Sequence, residues 1–159
     1  MSNLIKMKLS NNLELVEVTR SETAKRKGII NEPTSEHLTN LKELANKVFQ
    51  PIREHFKVPI FISSGYRSEA LNKSIGGSSS SQHCKGEAID IDLDGSSSGV
   101  TNADVFNFIK SNLDFDQLIW EFGTANSPDW VHVSYSIKNR KQILKAVKIN
   151  GKTSYINFS

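Results

Sequence analysis

Cysteine is almost missing from this sequence. Cys84 stands alone among 159 residues, which excludes an internal disulfide and any zinc site built from several thiolates. No apolar run approaches the ~20 residues that a membrane-spanning helix needs, so stable membrane insertion is not expected. Met1 to Asn12 also lack the apolar stretch of a secretory signal. The expectation is a protein made in the cytoplasm that reaches an outside target only by release or by a separate export route. Dense Lys/Arg clusters are absent too, as is any basic stripe interleaved with aromatics. The net charge of +3 therefore does not point to nucleic acid, and suits a slightly basic soluble protein.

What is present describes a globular chain. Hydrophobic residues make up 37% and charged residues 23%, values of neither a disordered nor a membrane protein. The length fits one domain, residues 1–159, large enough to fold without a metal staple. A metal bound here would thus serve chemistry rather than folding. Leu13 to Val18 alternates as a strand does, yet equally fits one helical turn. Ser21 opens a short helical stretch that Gly28 ends. Leu38, Leu41, Leu44, Ala45, Val48, Ile52 and Phe56 recur at helical spacing after a Thr34 or Ser35 cap, with Pro51 set to kink the helix or restart it. Strands are expected at Val58 to Ser63, Ala88 to Leu93, Phe115 to Phe122 and Trp130 to Tyr135. Ser68 and Thr101 cap two further helices. Asn150-Gly151 joins Ile143–Ile149 to Thr153–Phe158 as a hairpin. Helices early and strands late predict an α+β fold, with a largely antiparallel sheet and flanking helices.

Chemistry concentrates in two places. In Ser81-Gln82-His83-Cys84-Lys85-Gly86-Glu87-Ala88-Ile89-Asp90-Ile91-Asp92, a histidine in a Gly/Ser loop precedes a strand. Strand alternation puts Ala88, Asp90 and Asp92 on one face and Ile89, Ile91 and Leu93 on the other. A face carrying two carboxylates is either solvated or organised around a cation. In Asp129-Trp130-Val131-His132-Val133-Ser134, His132 projects opposite an apolar stripe. Two imidazoles and one carboxylate are a common ligand set for catalytic zinc, leaving a fourth position open. His37 and His55 lie on the long helix and read as surface or helix-end residues. At this level Asp90 and Asp92 both stand as the carboxylate.

Ser63-Ser64-Gly65-Tyr66-Arg67-Ser68, then His-x-x-Gly-x-Ala-x-Asp from His83 to Asp90, then Asp-x-x-His from Asp129 to His132, occur in that order. This arrangement resembles the M15 peptidases, the zinc D-alanyl-D-alanine carboxypeptidases and related peptidoglycan endopeptidases. The short phage and bacterial members, which share their fold with hedgehog signalling domains, are the most similar. The likeness runs from about Leu9 to the C-terminal hairpin. It implies a Zn2+ ion on His83, Asp90 and His132, with Asp90 preferred to Asp92. It further implies Asp129 as catalytic acid/base and Arg67 as the arginine that meets the scissile carbonyl or a substrate carboxylate. Ser81 is implied in holding substrate or loop, and Tyr66 and Trp130 are candidate groove residues. Glu121 is a candidate partner for a ligand histidine, beside its reading as a solvated strand carboxylate. Cys84 reads as structural. Ser127 stands where some carboxypeptidase relatives carry a histidine, so the likeness extends to hydrolysis rather than to strict carboxypeptidase specificity.

The implied partner is a peptidoglycan stem peptide or cross-bridge, and the implied setting is phage lysis or wall remodelling, with a monomer as the working expectation. The competing reading is a zinc-stabilised binding module without catalysis, against which the presence of both Arg67 and Asp129 argues.

Overall fold

The computed structural model describes residues 6–159, and its N-terminal part is built from short pieces. Strands β1 (Lys8–Ser10) and β2 (Leu13–Glu14) pair antiparallel, and helix α1 (Leu15–Thr19) follows at once. The Leu13–Val18 stretch is thus strand and helical turn in succession. Leu13, Leu15 and Val18 are buried, while Val16 is exposed. In α2 (Glu22–Lys27) the Ser21 hydroxyl accepts from the Ala24 N–H, and Gly28 closes the helix at φ 65°, as its sequence predicts.

The long amphipathic stripe forms α3 (Ser35–Leu44), a π-helical turn (Ala45–Phe49) and α4 (Gln50–Phe56) without a break. Thr34 caps it through the His37 N–H. Pro51 lies in the first turn of α4, so it begins a second α segment without interrupting the helical run. The turn ahead of it widens to π geometry, with the Gln50 N–H donating to the Ala45 carbonyl, which absorbs a residue that lacks its own N–H. Leu41, Leu44, Ala45, Val48, Phe49 and Ile52 are all buried against the sheet.

That sheet has six strands. They are β3 (Ile62–Ser64), β4 (Ala88–Ile91), β5 (Gln117–Glu121), β6 (Trp130–Ser134), β7 (Gln142–Ile149) and β8 (Lys152–Asn157), in spatial order β3-β4-β6-β5-β7-β8. Every pairing is antiparallel except β5 with β7. The observed class is therefore the expected α+β with a mostly antiparallel sheet. Helix α5 (Glu69–Ser74) follows β3. Helix α6 (Asn102–Asn112), capped by Thr101, packs Val105, Phe106 and Ile109 onto the core. Asn150 and Gly151 join β7 to β8 at φ 51° and 75°, the positive values that the hairpin turn needs. Ile89, Ile91, Val131, Val133, Leu118 and Trp120 face the helices, and the opposite face of the sheet carries polar groups beside a small apolar cluster of Ile119, Leu144 and Ala146.

One buried carboxylate ties three segments together beside that polar face. Asp116, 3% exposed, accepts from the Arg140 backbone N–H and Nε at its Oδ1 (3.0 and 2.9 Å). Its Oδ2 accepts from Arg140 Nη2 and Gln82 Nε2, each at 2.9 Å. The start of β5, the loop before β7 and the short turn at Gln82 are thereby clamped. Arg140 holds the Asp116 carboxyl down at about 2. Because that folded value lies below the unfolded one, the stabilisation is complete above pH ~4 and disappears as pH falls through ~2. Arg140→Ala is expected to lower unfolding free energy by about 1–2 kcal/mol at pH 7, after allowing for solvent screening of the half-exposed guanidinium. Urea titrations at pH 7 and pH 2 check this, since the difference between variant and parent must shrink at the lower pH.

Candidate metal centre

The polar face of the sheet is organised by register. Asp90 on β4 lies directly opposite His132 on β6, so both side chains project from the same face. His83 reaches them from a 3-10 turn, Gln82–Lys85, that precedes β4. Ser81 caps this turn, its hydroxyl accepting from the His83 N–H at 3.3 Å, and it also lines the cavity over the donors. Gly86 ends the turn at φ 73°.

Two hydrogen bonds lock the His83 turn to the chain after β3. The Arg67 N–H donates to the His83 carbonyl at 3.1 Å, and His83 Nδ1 lies 2.7 Å from the Gly65 carbonyl oxygen. A carbonyl only accepts, so Nδ1 carries the proton and Nε2 is left as a lone-pair donor aimed at Asp90. His83 Nε2 and His132 Nδ1 stand 3.4 and 2.9 Å from Asp90 Oδ1. All three ligand atoms lie within 4.8 Å of one another. Burial alone would raise the Asp90 carboxyl. When protonated, the His83 and His132 rings outweigh it through their charge and hydrogen bonds and hold the group well below the usual carboxylate range.

This donor set fits a divalent ion. Ligands ~2 Å from a tetrahedral centre stand about 3.3 Å apart, and the two observed separations bracket that value. The Gly65 carbonyl fixes the His83 tautomer from behind, as carbonyls and carboxylates commonly do for ligand histidines. Among the described residues this is the one group of three such side chains so placed.

Arg67 stands over the carboxylate, its Nη2 3.7 Å from Asp90 Oδ2. Ser64, opposite Asp90 in the sheet, accepts from Arg67 Nε and Nη2 at 3.3 and 3.1 Å. The buried Asn72 amide oxygen meets Nη1 at 3.5 Å, while its Nδ2 donates to the Ser78 carbonyl of the Gly/Ser loop. Asn72 thus joins the guanidinium to that loop. Nothing in its local sequence, one polar residue in a short helix, marks it for this task.

A cavity of about 720 Å³ opens over these groups. Its lining includes Arg67, His83, Asp90, His132, Trp130 and Glu121. Several residues implied by sequence lie elsewhere. Tyr66 does not line this cavity. Its ring is buried in the core, and its hydroxyl lies 3.1 Å from His37 Nδ1. Asp129 is exposed and absent from the cavity wall, because Trp130 and His132 point inward and the residue before Trp130 points away. Its neighbour in charge is Asp94, whose carboxyl is raised by burial and then by Asp92 and Asp129. Asp92 likewise leaves the cluster, its Oδ1 accepting from Asn102 Nδ2 and the Asp94 N–H. Cys84 does not join the donors, and burial pushes its thiol up. Glu121 lines the cavity but bonds neither histidine, so the carbonyl of Gly65 takes the supporting part foreseen for it.

An α+β fold presenting an inward-facing His/Asp/His cluster and an arginine at the base of a groove defines a metallopeptidase-like class. The family model for Peptidase M15 matches residues 11–134, and the chain belongs to that family. No curated protein matches it.

Gly65 carries the carbonyl that orients His83, and it has no room for a side chain. A Cβ there would collide with the Val18 carbonyl oxygen and lie 2.7 Å from Val18 Cα. Gly65→Ala is therefore expected to cost about 1–3 kcal/mol and to weaken affinity for a divalent metal ion about 10–100-fold. Chelator-competition titration and thermal unfolding measure the two effects. Unchanged affinity would remove Gly65 from the account of the site.

Proposed function

We propose that the chain is a zinc-dependent peptidoglycan peptidase, hydrolysing stem peptides or cross-bridges that contain D-amino acids. The observation that carries this reading is the convergence of His83, Asp90 and His132 at the base of an open groove, in a chain of the M15 family. Its action on the wall follows release from the cell, in phage lysis or in wall remodelling. Among the described residues no helix is long and apolar enough to cross a membrane.

His83 Nε2, Asp90 Oδ1 and His132 Nδ1 would hold the zinc. When bound, the ion supplies Lewis acidity toward water and carbonyl oxygen. The remaining work belongs to the chain. Arg67, fixed by Ser64 and Asn72, offers a preset guanidinium to the oxygen that gains charge as the amide carbonyl becomes tetrahedral. Trp130 and Phe122, with ring centroids 5.6 Å apart, give one wall of the groove an apolar surface for the peptide. The volume of the groove, about 720 Å³, leaves room for a short stretch of peptide over the three donors.

Digestion of purified peptidoglycan by zinc-loaded protein, followed by mass spectrometry, tests the reading. Free D-Ala identifies a carboxypeptidase, and loss of cross-linked dimers an endopeptidase. Chelation is expected to abolish either product, and zinc to restore it. Stoichiometric zinc with no product would replace the peptidase by a binding module. Arg67→Ala is expected to lower kcat/KM at least about 10-fold with zinc retained. Full activity in that variant would sink the role given to Arg67.

A further inference from the structure

Hydrolysis of an amide needs a group that takes a proton from the attacking water and returns one to the departing amine. Asp129, implied for this work by motif position, is exposed and outside the groove. The sheet puts a different carboxylate there. In the pairing of β5 with β6, Ile119 lies opposite His132 and Glu121 opposite Trp130. Directly opposed residues share a face, so Glu121 projects from the same face as Asp90 and His132 and is the diagonal neighbour of His132.

The state of its side chain is unusual. Glu121 is 6% exposed, and while its backbone pairs with β6 and β7 and its carbonyl accepts from the Asp129 N–H, its carboxyl oxygens make no hydrogen bond among the described residues. Among the described residues no sealed side-chain polar atom lacks a partner. The unbonded Glu121 oxygens therefore open onto the groove that the residue lines. Burial first, and then the Asp90 charge, push its carboxyl up to about 7, against the opposing pull of His132. A carboxylate kept in so poorly solvated a place, with no ion pair to compensate, is costly to the fold. Such groups concentrate at reacting centres.

We infer that Glu121, not Asp129, is the general base and then the general acid of the reaction. This rests on the peptidase reading above. As the C–O bond forms, one proton of the attacking water passes to the Glu121 carboxylate. As the C–N bond breaks, Glu121 gives that proton to the amine nitrogen. The product acid then ionises, and its proton makes the amine an ammonium, so water's two hydrogens are both accounted for and Glu121 is regenerated.

The test compares Glu121→Gln, Glu121→Asp and Asp129→Asn with the parent on a muropeptide that the zinc-loaded parent cleaves. Turnover, zinc content and muropeptide affinity by calorimetry are measured for each. Glu121→Gln is expected to lose at least about 100-fold in kcat, while one zinc stays bound and affinity moves less than about threefold. Glu121→Asp keeps a carboxylate and is expected to retain more activity than the Gln variant. Asp129→Asn is expected to stay within about threefold of the parent. A Glu121→Gln protein that turns over at the parent rate overturns the inference, as does one that loses zinc, which would make Glu121 a positioning residue. An Asp129→Asn protein that is inactive with zinc in place also overturns it. If the Gln variant does not fold, the Asp variant decides: unchanged kcat overturns the inference, and a drop in kcat at constant KM supports it. A parent inactive on every muropeptide fails the peptidase reading itself, a result distinct from all of these.

Discussion

The contact between Asp90 and His132 is fixed by strand pairing rather than by side-chain choice, and most of the site follows from it. Asp90 opposes His132 across β4 and β6, and Ser64 opposes Asp90 across β3 and β4. A slip of one residue in β6 would turn Trp130, His132 and Ser134 toward the helices and Val131 and Val133 toward the groove. The apolar residues forbid that slip. Val131 and Val133 are fully buried beside Ile89 and Ile91, and moving them to the polar face would forfeit roughly 1.5–3 kcal/mol apiece. The core thus sets the positions of the donors, although no donor belongs to it.

Two carboxylates on this one face are driven in opposite directions. Asp90 sits against two imidazoles and is held ionised. Glu121, a strand away, has burial and the charge of Asp90 against it, and the attraction of His132 does not offset them. One group is thereby suited to hold a cation, while the other can both gain and lose a proton near neutrality. Separation of paired carboxyl groups by environment is how a single site runs acid and base steps together. A cation on the three donors would draw Glu121 toward its ionised form, which is the form that accepts a proton from water.

Much of this was legible in the sequence, and the misses have a common cause. Period-two alternation put Asp90 and His132 on non-core faces, and Ser21, Gly28, Thr34, Ser68 and Thr101 marked helix ends that the structure keeps. Alternation within one strand says nothing about which strand lies beside it. Glu121 could be placed on a strand, but its approach to the donors depends on β5 pairing with β6, a non-local fact. Asn72 and Gly65 escaped for the same reason, since their partners Arg67, Ser78, Val18 and His83 meet them through tertiary approach. Tyr66 went to the core because its own turn is pulled inward, its N–H donating to the Val18 carbonyl at 2.6 Å.

The same distinction separates Asp129 from Glu121. A motif position specifies distance along the chain from a ligand, and three residues before His132 is close in sequence. In an extended strand, however, an odd offset puts the side chain on the opposite face unless a bulge intervenes, and β6 pairs with β5 from Trp130 and with β4 from Val131 without one. Just before the strand, Asp129 donates its N–H to Glu121 and its carbonyl accepts from the buried Asn102. Those bonds anchor its backbone at the end of β5 and beside α6, with the side chain exposed outside the groove. As the chain is folded, its carboxylate lies outside the donor cluster and the groove, and reaching them requires that this segment move. Glu121 needs no such movement, because the register already has it on the face where the donors are.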